Sequence, residues 1–395
     1  MTNANDVVIL SGARTAIGDF GGSLKEVTPC DLGITCASEA ISRAGLEPGD
    51  IGHTIIGNVI HTEARDMYLS RVISIGAGVP IQAPAMTLNR LCGSGLQAIV
   101  SAAQLIKLGD TDTALAGGAE SMSRSPYVIP AGRWGQKMGN TPVLDMMIAA
   151  LHDPFGGGHM GITAENLARK FDISREAQDA FSLESHRRAA VAISEGRFKE
   201  QIVPVEIQTR KGTIVVDTDE HIRHEATLAD FEKLRPAFEK DGTVTAGNSS
   251  GINDGAAAVV LMNAKTAENR GLKPMARIVS YGHSGVEPME MGIGPVPAVH
   301  QALERAGLSV GDMDVVESNE AFAAQACSVS KELSLDPEKV NPNGGAVALG
   351  HPVGASGAII TVKAMYELNR IGGRYGLITM CIGGGQGIAM VIEAI

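Results

Sequence analysis

The sequence is poor in aromatic residues and has no excess of positive charge. Aromatic side chains make up 4% of the 395 residues, Trp134 is the single tryptophan, and glycine occurs 48 times. The formal net charge is −11, so we expect no general surface for nucleic acid or for an anionic membrane. A local group of arginines or backbone N–H groups can still bind a phosphate inside an acidic protein.

Cysteine pairs and targeting segments are also lacking. The five cysteines form an odd number, without a Cys-x-x-Cys pair or the Cys/His spacing of a metal site. We expect no apolar run that approaches the roughly 18–20 residues of a membrane span. The N-terminus has no basic region followed by an apolar one. These absences predict a reduced, cytoplasmic protein without a secretory signal.

An internal repeat is present instead. The segment AISRAGLEPGDI from Ala40 resembles ALERAGLSVGDM from Ala302, an offset of 262 residues. The same offset relates the Ser-Gly pair at 94–95 to the pair at 356–357. Apolar strand-like and helical segments alternate in both copies, which is typical of a layered α/β fold with mostly parallel sheets. The helices that this pattern predicts cover residues 32–44, 96–108, 298–306 and 356–368.

A different region, residues 122–250, separates the two copies. It holds a Pro- and Gly-rich stretch around Trp134 and two helical segments, the second with Ser174 as its expected N-cap. The next segment, GINDGAAAVVLMN, reads as a strand that returns to the first copy. The predicted N-terminal half, inserted loop domain and C-terminal half are residues 1–121 with 251–272, residues 122–250, and residues 273–395.

Cys92 stands at a glycine-lined turn before a predicted helix. The helix dipole and unpaired N–H groups favour a thiolate there, and Gly93 and Gly95 would let a ligand approach the backbone. A small cysteine buried at a packed turn is the alternative. By the offset, Cys92 falls opposite Gly354, just after His351. The two copies would thus bring a thiol and an imidazole together, and an imidazole activates a thiol nucleophile.

Two more polar residues follow predicted strands of the second copy. Cys381 precedes the glycines at 383–385, whose N–H groups are suited to an oxyanion hole, although a buried strand cysteine fits the same pattern. Asn319 begins a predicted helix, either as a cap or as a holder of water or carbonyl near His351. Glu320 would pair with a basic group or orient His351.

Four motifs in this order resemble those of the thiolase family: NRLCGSGLQA, NEAF, GHP and CIGGGQG. The repeat and the insertion match as well, so the resemblance covers essentially the whole chain. It implies a duplicated, layered αβαβα fold with a large inserted loop domain. Segments such as RDMYLSRV and ESMSRSPY are similar to those of bacterial biosynthetic β-ketothiolases, which are acetyl-CoA C-acyltransferases.

The resemblance implies a reversible acyl transfer in two steps. His351 would activate Cys92, which attacks an acyl-CoA to give acyl-Cys92 and free CoA. Cys381 would take a proton from acetyl-CoA, and His351 with a water held on Asn319 would stabilise the enolate. Backbone N–H groups of Cys92 and Gly383 would hold the tetrahedral oxyanion. The expected products are acetoacetyl-CoA and, from a longer acyl group, 3-oxovaleryl-CoA.

Further expectations concern binding and assembly. The resemblance implies no metal or redox cofactor, because CoA is itself substrate and product, and it implies a homotetramer built as a dimer of dimers. The loop around Trp134 would mediate assembly or act as a flexible lid. The residues implied in binding acyl-CoA are His159, Met160, Arg223, Phe238, Ser250 and Phe322.

The chain departs from the family pattern at two positions, and other functions stay open. Ser318 stands where alanine often precedes NEAF, which we expect to alter local hydrogen bonding, and Val353 stands where HPIG is common. One alternative is a degradative 3-oxoacyl-CoA thiolase acting on longer chains. Another is a decarboxylating condensing enzyme, against which Asn319 and Cys381 argue. A third is a non-catalytic protein that binds acyl-CoA or lipid.

Overall fold

The computed structural model describes residues 6–395. Residues 1–5, at the start of the predicted N-terminal half, lie outside the described residues. The strands are β1 Val7–Arg14, β2 Gly18–Asp19, β3 His53–Gly57, β4 Ala85–Leu88, β5 Thr113–Ser121, β6 Tyr127–Val128, β7 Leu144–Asp145, β8 His152–Asp153, β9 Gly158–His159, β10 Val205–Thr209, β11 Gly212–Val216, β12 Asn253–Asn263, β13 Ala276–Gly285, β14 Val315–Ser318, β15 Tyr375–Ile382 and β16 Gln386–Ala394. The helices are α1 Pro29–Arg43, α2 Leu69–Gly76, α3 Ser94–Leu108, α4 Met146–Ala150, α5 Met160–Lys170, α6 Arg175–Ser194, α7 Leu228–Glu232, α8 Ala264–Asn269, α9 Pro295–Ala306, α10 Ala323–Leu333, α11 Ala346–Leu349 and α12 Val353–Ile371.

The central sheet has ten strands and an internal symmetry. Its order is β14-β15-β16-β13-β1-β12-β5-β3-β4, and β2 pairs with β12. A short antiparallel contact between β1 and β13 joins the two sides, with Val8 opposite Arg277 and Ile9 opposite Ala276. On either side of this junction the order β1-β12-β5-β3 is matched by β13-β16-β15-β14. The sequence repeat is therefore a duplication of the fold.

Both halves of the sheet are mixed, so the prediction of mostly parallel sheets is wrong. Strand β3 runs parallel to β4 and β5, and β14 runs parallel to β15. Strands β12 and β16 are antiparallel to both of their neighbours. A turn over residues 383–385 is all that connects β15 to β16, and a connection this short forces an antiparallel pair. Strand β12 enters its half from the insertion in the opposite direction to β5.

The offset seen in the sequence holds for the helices. It relates α1 to α9 and α3 to α12, and it relates two short 3-10 turns, Pro48–Asp50 and Val310–Asp312. Gly45 and Gly307 follow α1 and α9, both with φ of +67°, the left-handed conformation that glycine supplies at helix ends. Helix α9 begins earlier than predicted because Pro295 is well tolerated in the first turn of a helix.

Helices α3 and α12 cross at very close range. A Cβ atom added to Gly95 would lie 2.7 Å from the backbone nitrogen of Ala358, and one added to Gly357 would meet the backbone nitrogen of Leu96. Only glycine leaves room for backbones this close. Because Gly95 and Gly357 are related by the repeat, the crossing sets the N-terminal ends of two equivalent helices beside each other.

The insertion is joined to the first half through a buried ion pair and through β12, and to the second half through a hydrogen bond from Arg197 to Asn343 at 2.8 Å. Helix α6 begins after Ser174, whose side chain accepts a hydrogen bond from the Ala177 backbone, as predicted. The buried Arg14 of β1 forms an ion pair with Asp219 of the insertion at 2.8 Å. Strand β12 then pairs with β1 and β5 and returns the chain to the first half.

One segment, Leu91–Leu108, meets the length and composition of a membrane span within the described part of the chain, whereas we expected no such run. It consists of α3 and the residues just before it, and 56% of the segment is buried inside the fold. The helix packs against β3, β5 and α12. These contacts are those of a core helix.

Candidate active site

A cavity of about 60 Å³ brings together residues from all four sequence motifs. Cys92 lies at one side of it, and His351 and Gly383 come from loops of the second half. The other lining side chains are mostly apolar. The complete lining is Val59, Leu91, Cys92, Met122, Ala150, Leu151, Met160, Ser250, Met291, Ala321, Phe322, His351, Val353 and Gly383.

The loop that carries Cys92 is held in an unusual conformation. Leu91 has a φ of +44°, which is uncommon for a residue with a side chain. The Ser94 hydroxyl accepts a hydrogen bond from the Arg90 backbone at 2.8 Å and donates one to the Leu91 carbonyl at 2.6 Å. Only Gly93 separates Cys92 from α3. The loop therefore presents both the thiol and the N–H of Cys92 at the helix start.

The Cys92 sulfur lies in a site that disfavours charge in the resting state. Burial raises the pKa of the Cys92 thiol to about 11, although hydrogen bonds from the N–H groups of Gly383 and of Cys92 itself lower it in part. The expectation of a thiolate stabilised by the helix start is wrong, because desolvation outweighs the two backbone hydrogen bonds here. The nucleophile rests as a thiol and requires a base. The two N–H groups at the sulfur are those predicted for the oxyanion hole.

His351 is held as a neutral base. Its Nδ1 lies 2.6 Å from the Ser356 hydroxyl, and that hydroxyl lies 2.9 Å from the Pro352 carbonyl. Since the Ser356 proton goes to the carbonyl, Nδ1 must donate to Ser356, and the proton on Nδ1 leaves Nε2 free to accept. Burial lowers the pKa of His351 to about 4. The imidazole is therefore uncharged at neutral pH, with an open lone pair on Nε2.

Asn319 contacts His351 and does not cap a helix. Its Nδ2 lies 3.4 Å from His351 Nε2, and its backbone N–H donates to the Thr379 carbonyl at 3.0 Å. Helix α10 begins only after Phe322, which is its N-cap residue. The capping interpretation is therefore wrong, and the amide is available at the imidazole.

Cys381 is buried at the end of β15, close to Cys92. Burial raises the pKa of the Cys381 thiol well above its usual range, and negative charge on Cys92 raises it further. This electrostatic interaction requires the two sulfurs to be near neighbours. The turn that follows uses Gly384 and Gly385, with φ of +81° and +84°, and it points Gly383 at the cavity.

The glycines beside Cys92 have a packing role. A Cβ atom on Gly93 would lie 2.5 Å from Ile382 Cδ1, and Gly95 faces Ala358 of α12 as described above. Neither glycine lines the cavity. The prediction that they clear space for a thioester is therefore wrong: they let the Cys92 loop approach the second half.

Three residues that the sequence reasoning missed hold the catalytic loops. Ser356 orients His351, and the repeat offered the signal, since Ser356 is the equivalent of Ser94. Asn253 of β12 accepts a hydrogen bond from the His351 backbone at 2.9 Å. The buried Glu120 accepts hydrogen bonds from the backbones of Val59 and Gly354, both at 2.9 Å. No sequence pattern marks Asn253 or Glu120, because their partners are distant along the chain.

Glu320 anchors its loop and does not orient His351. Its carboxylate accepts hydrogen bonds from the Ser185 hydroxyl at 2.8 Å, from Asn341 Nδ2 at 2.7 Å and from the Val347 backbone at 3.1 Å. These contacts join the NEAF loop to helix α6 of the insertion and to α11. Glu320 thus fixes the loop that carries Asn319.

The residues implied in binding acyl-CoA fall into three groups. Met160, Ser250 and Phe322 line the cavity. Phe238 lies next to it, with its ring 5.9 Å from that of Phe322 and stacked on His159 at 4.7 Å. Arg223 is exposed and lies in a separate depression with His186 and His221, so the structure does not bring it to the cavity. Its role as a ligand of CoA stays a prediction.

The cysteines and acidic residues form no metal site in the part of the chain that the structure describes. No group of three or more His, Cys, Asp or Glu side chains there is arranged to hold an ion. All five cysteines are free.

Family models match nearly the whole chain. The model described as Thiolase, N-terminal domain matches residues 7–265, and the one described as Thiolase, C-terminal domain matches residues 272–394. The boundary falls just before β13, where the second copy of the fold begins.

Individual relatives are similar over their full length. The chain is 65% identical to "Beta-ketothiolase BktB" of Cupriavidus necator over 99% of both chains, and 51% identical to an "Acetyl-CoA acetyltransferase" of Chromobacterium violaceum over 98% of this chain and 99% of the relative. Its structure matches the acetyl-CoA acetyltransferase of Bacillus anthracis with a TM-score of 0.96, 46% identity and 99% of both chains covered. It matches human mitochondrial 3-ketoacyl-CoA thiolase in complex with CoA with a TM-score of 0.96 and 44% identity, over 99% and 98% of the two chains. The four motifs, the duplicated fold and these similarities agree, and the chain belongs to the thiolase family of acyltransferases.

Proposed function

We propose that this thiolase condenses acetyl-CoA with a short acyl-CoA through an acyl-Cys92 intermediate and, in reverse, cleaves the 3-oxoacyl-CoA product with CoA. One observation carries the proposal: the Cys92 sulfur receives two backbone N–H groups in a cavity that also contains the neutral base His351. The similarity to a protein named Beta-ketothiolase and to several named Acetyl-CoA acetyltransferase favours short acyl groups.

The first step is transfer of the acyl group to Cys92. His351 Nε2 takes the thiol proton, and the thiolate attacks the thioester carbonyl. The oxyanion of the tetrahedral intermediate accepts hydrogen bonds from the N–H groups of Cys92 and Gly383. When the intermediate collapses, CoA leaves as a thiolate and takes a proton from Cys381. Cys92 is then acylated, His351 is protonated and Cys381 is a thiolate.

The second step uses the charges left by the first. The Cys381 thiolate removes a proton from the methyl group of acetyl-CoA, and its raised pKa makes it a strong base for this task. The enolate oxygen accepts a hydrogen bond from protonated His351 and from a water on Asn319. The enolate carbon attacks acyl-Cys92, and the released Cys92 thiolate recovers its proton from His351. Every group thus returns to its resting state.

We infer that the insertion supplies CoA binding and assembly. Residues 122–250 would form this loop domain between an N-terminal half, 1–121 with 251–272, and a C-terminal half, 273–395. The loop around Trp134 is strongly apolar and open to solvent: Trp134 and Met138 are both 88% exposed. Exposed apolar surface of this kind marks interaction sites, which supports a homotetramer.

Free cysteines support a cytoplasmic location, and the proposed chemistry needs no metal or redox cofactor.

Labelled acetyl-CoA tests the proposal directly. Brief incubation should leave the acetyl label on Cys92, and the label should be absent in Cys92→Ala. Cys381→Ala should still acquire label but form no acetoacetyl-CoA, because it lacks the base for the second step. A folded wild-type chain that takes up no label would contradict the enzyme assignment. A strict need for malonyl thioesters would instead favour a decarboxylating enzyme.

A series of 3-oxoacyl-CoA substrates tests the chain length. Thiolysis should be fastest with acetoacetyl-CoA or 3-oxovaleryl-CoA and should fall as the acyl chain grows. A preference for long chains would replace the proposed substrate range by that of a degradative thiolase.

A further inference from the structure

The buried carboxyl group of Glu120 connects the two halves of the fold beside the cavity that contains Cys92. Glu120 lies near the end of β5 and is 0% exposed. Its Oε2 accepts hydrogen bonds from the backbone N–H groups of Val59 and Gly354, both at 2.9 Å. Val59 belongs to the first half and Gly354 to the second, so one oxygen atom bridges the backbones of both halves.

The two segments that this oxygen holds together form walls of the cavity. Val59 lines the cavity, and so does Val353, which directly precedes Gly354. Both valines are branched at Cβ and therefore stiff. The carboxyl group is also near Cys92, because negative charge on Glu120 raises the pKa of that thiol. The separation of the two walls beside Cys92 thus depends on the bridge at Glu120 Oε2.

The second oxygen of Glu120 fixes the rest of the first wall, residues 58–60. Glu120 Oε1 accepts hydrogen bonds from Asn58 Nδ2 and from the Ile60 backbone, both at 3.1 Å. Three consecutive residues of this wall therefore bond to one carboxyl group.

The second wall, residues 353–354, is packed in place without Glu120. A Cβ atom added to Gly95 would lie 3.1 Å from the Gly354 carbonyl oxygen, and one added to Gly118 would meet the same oxygen. Gly354 is thus held against both α3 and β5. A Cβ atom on Gly354 itself would meet Glu120 Oε2 and would lie 3.2 Å from the Val59 nitrogen. Because the walls approach so closely, loss of the bridge should release the first wall and widen the cavity.

We propose that Glu120 is a positioning residue that limits the length of the acyl group accepted by Cys92, because it holds Val59 and Val353 at a fixed separation. This inference rests on the proposed function, in which Cys92 carries the acyl group. A longer acyl chain requires more room between the walls, and one methylene in a hydrophobic pocket changes selectivity by roughly 10- to 200-fold. With the bridge intact the cavity favours short acyl groups, and without it longer groups gain.

The acyl selectivity of Glu120→Asp tests the inference. The variant keeps the carboxyl group but is one methylene shorter, so it cannot reach both walls as Glu120 does. Thiolysis of acetoacetyl-CoA leaves an acetyl group on Cys92, whereas thiolysis of 3-oxohexanoyl-CoA leaves a butanoyl group. The ratio of kcat/KM for 3-oxohexanoyl-CoA to that for acetoacetyl-CoA should rise about tenfold over the wild type. A merely structural role would lower the melting temperature and leave this ratio unchanged.

Gly354→Ala acts on the same contact from the second wall. Its added methyl group would press against Glu120 Oε2 and the Val59 nitrogen, so the ratio should rise in this variant as well. It therefore provides the same test if Glu120→Asp does not fold.

Glu367→Asp is the matched control. Glu367 is also a buried glutamate of the second half, and it accepts hydrogen bonds from Asn343 Nδ2 at 2.8 Å and from Arg370 at 2.6 Å. It does not line the cavity. Its shortening should lower the melting temperature but leave the ratio at the wild-type value.

The wild-type ratio in either folded variant, Glu120→Asp or Gly354→Ala, would overturn the inference. Failure of the proposed function is a separate result, namely a wild-type chain that neither cleaves acetoacetyl-CoA nor acylates Cys92. Crystal structures of the wild type and of Glu120→Asp do not depend on that function. The distance between the Val59 and Gly354 nitrogens should increase in the variant, and an unchanged distance would refute the bridge.

Discussion

The loops before α3 and α12 are copies of one structure that perform different chemistry. Each loop is followed by a serine that hydrogen-bonds back to it, Ser94 in the first copy and Ser356 in the second. Each helix then has a glycine at the crossing. The first loop carries Cys92, however, whereas the second carries His351. The repeat thus supplies a symmetric frame, and catalysis depends on the residues at which the copies differ.

The duplicated structure also explains why the proposed reaction needs both loops. The Cys92 thiol has a pKa raised by burial and cannot ionise unaided near neutral pH, while His351 is held neutral with a free nitrogen. Neither half contains both groups. The close crossing of α3 and α12 places them at one cavity.

The largest expected effect on activity comes from removing the Cys92 thiol, which only the first of the two equivalent loops carries. Cys92→Ala should lower acyl transfer by about 10⁴-fold or more, as expected for loss of a nucleophile that acts as a unit with its base. Steady-state acetoacetyl-CoA formation measures the loss, and an unchanged melting temperature serves as the control. Activity within about a hundredfold of wild type, far above the level expected after loss of a nucleophile, would show that the thiol is not the nucleophile.

Removing the His351 imidazole, which only the second loop carries, should have the next largest effect on activity. His351→Gln should slow acylation of Cys92 by about 10²–10⁴-fold, the usual contribution of a general base. In the wild type, the acylation rate should fall on acidification through about pH 4, because protonated His351 cannot accept the thiol proton. Stopped-flow release of CoA measures both effects. A rate in the variant that still falls near pH 4 would assign the titration to another group.

The same pKa shift predicts a change in stability. Because burial lowers the pKa of folded His351 from 6.5 to about 4, the unfolded chain binds more protons between these values. The contribution of His351 to the free energy of unfolding should therefore fall as the pH drops from about 6.5 to about 4. His186 and His283 have similarly lowered pKa values and add to the effect. The buried carboxyls of Glu120 and Glu317, whose pKa values burial raises to about 8 and about 7, contribute in the opposite direction. In urea titrations, the free energy of unfolding of the wild type relative to that of His351→Gln should fall as the pH drops over this range, and a constant difference would contradict the prediction.

The close packing of α3 against α12 can be disturbed by a substitution that changes no reacting group. Gly95→Ala should lower the free energy of unfolding by about 1–3 kcal/mol, because the added methyl group forces the two backbones apart. Gly49→Ala is the control, since a Cβ atom at Gly49 meets nothing within 4 Å. Urea unfolding compares the two variants. Equal stability of both would mean that the crossing is not closely packed.

Removal of the hydroxyl group from either of the two equivalent serines should have the smallest effect, and the two variants should differ in whether kcat or stability changes. Ser356→Ala removes the acceptor that fixes the His351 proton on Nδ1, so kcat should fall about tenfold, the upper effect of one hydrogen bond. Ser94→Ala instead loosens the loop at Leu91 and should act mainly on stability. Paired measurements of kcat and melting temperature distinguish the roles. A fall in kcat for Ser94→Ala together with an unchanged kcat for Ser356→Ala would contradict these roles.

Much of the site was predictable because its reacting residues lie in ordered local motifs. Cys92, His351 and Gly383 meet at one cavity, as the motifs and the repeat indicate. Asn319 was harder to interpret, since asparagine before a helix usually caps it, and only the position of α10 after Phe322 decides against that role. The direction of the sheet strands was mispredicted because pairing depends on how β12 and β16 return to their halves.

By itself the sequence determined the duplication, the family and the identities of the thiol, imidazole and amide that the proposed reaction uses. Each of these can be recognised from a short sequence motif or from the repeat with its constant offset. The tertiary structure decided that Gly93 and Gly95 serve packing, that Ser356 and Asn253 hold His351, and that the Cys92 pKa is raised. These properties depend on burial and on contacts between distant parts of the chain, so no local pattern could reveal them.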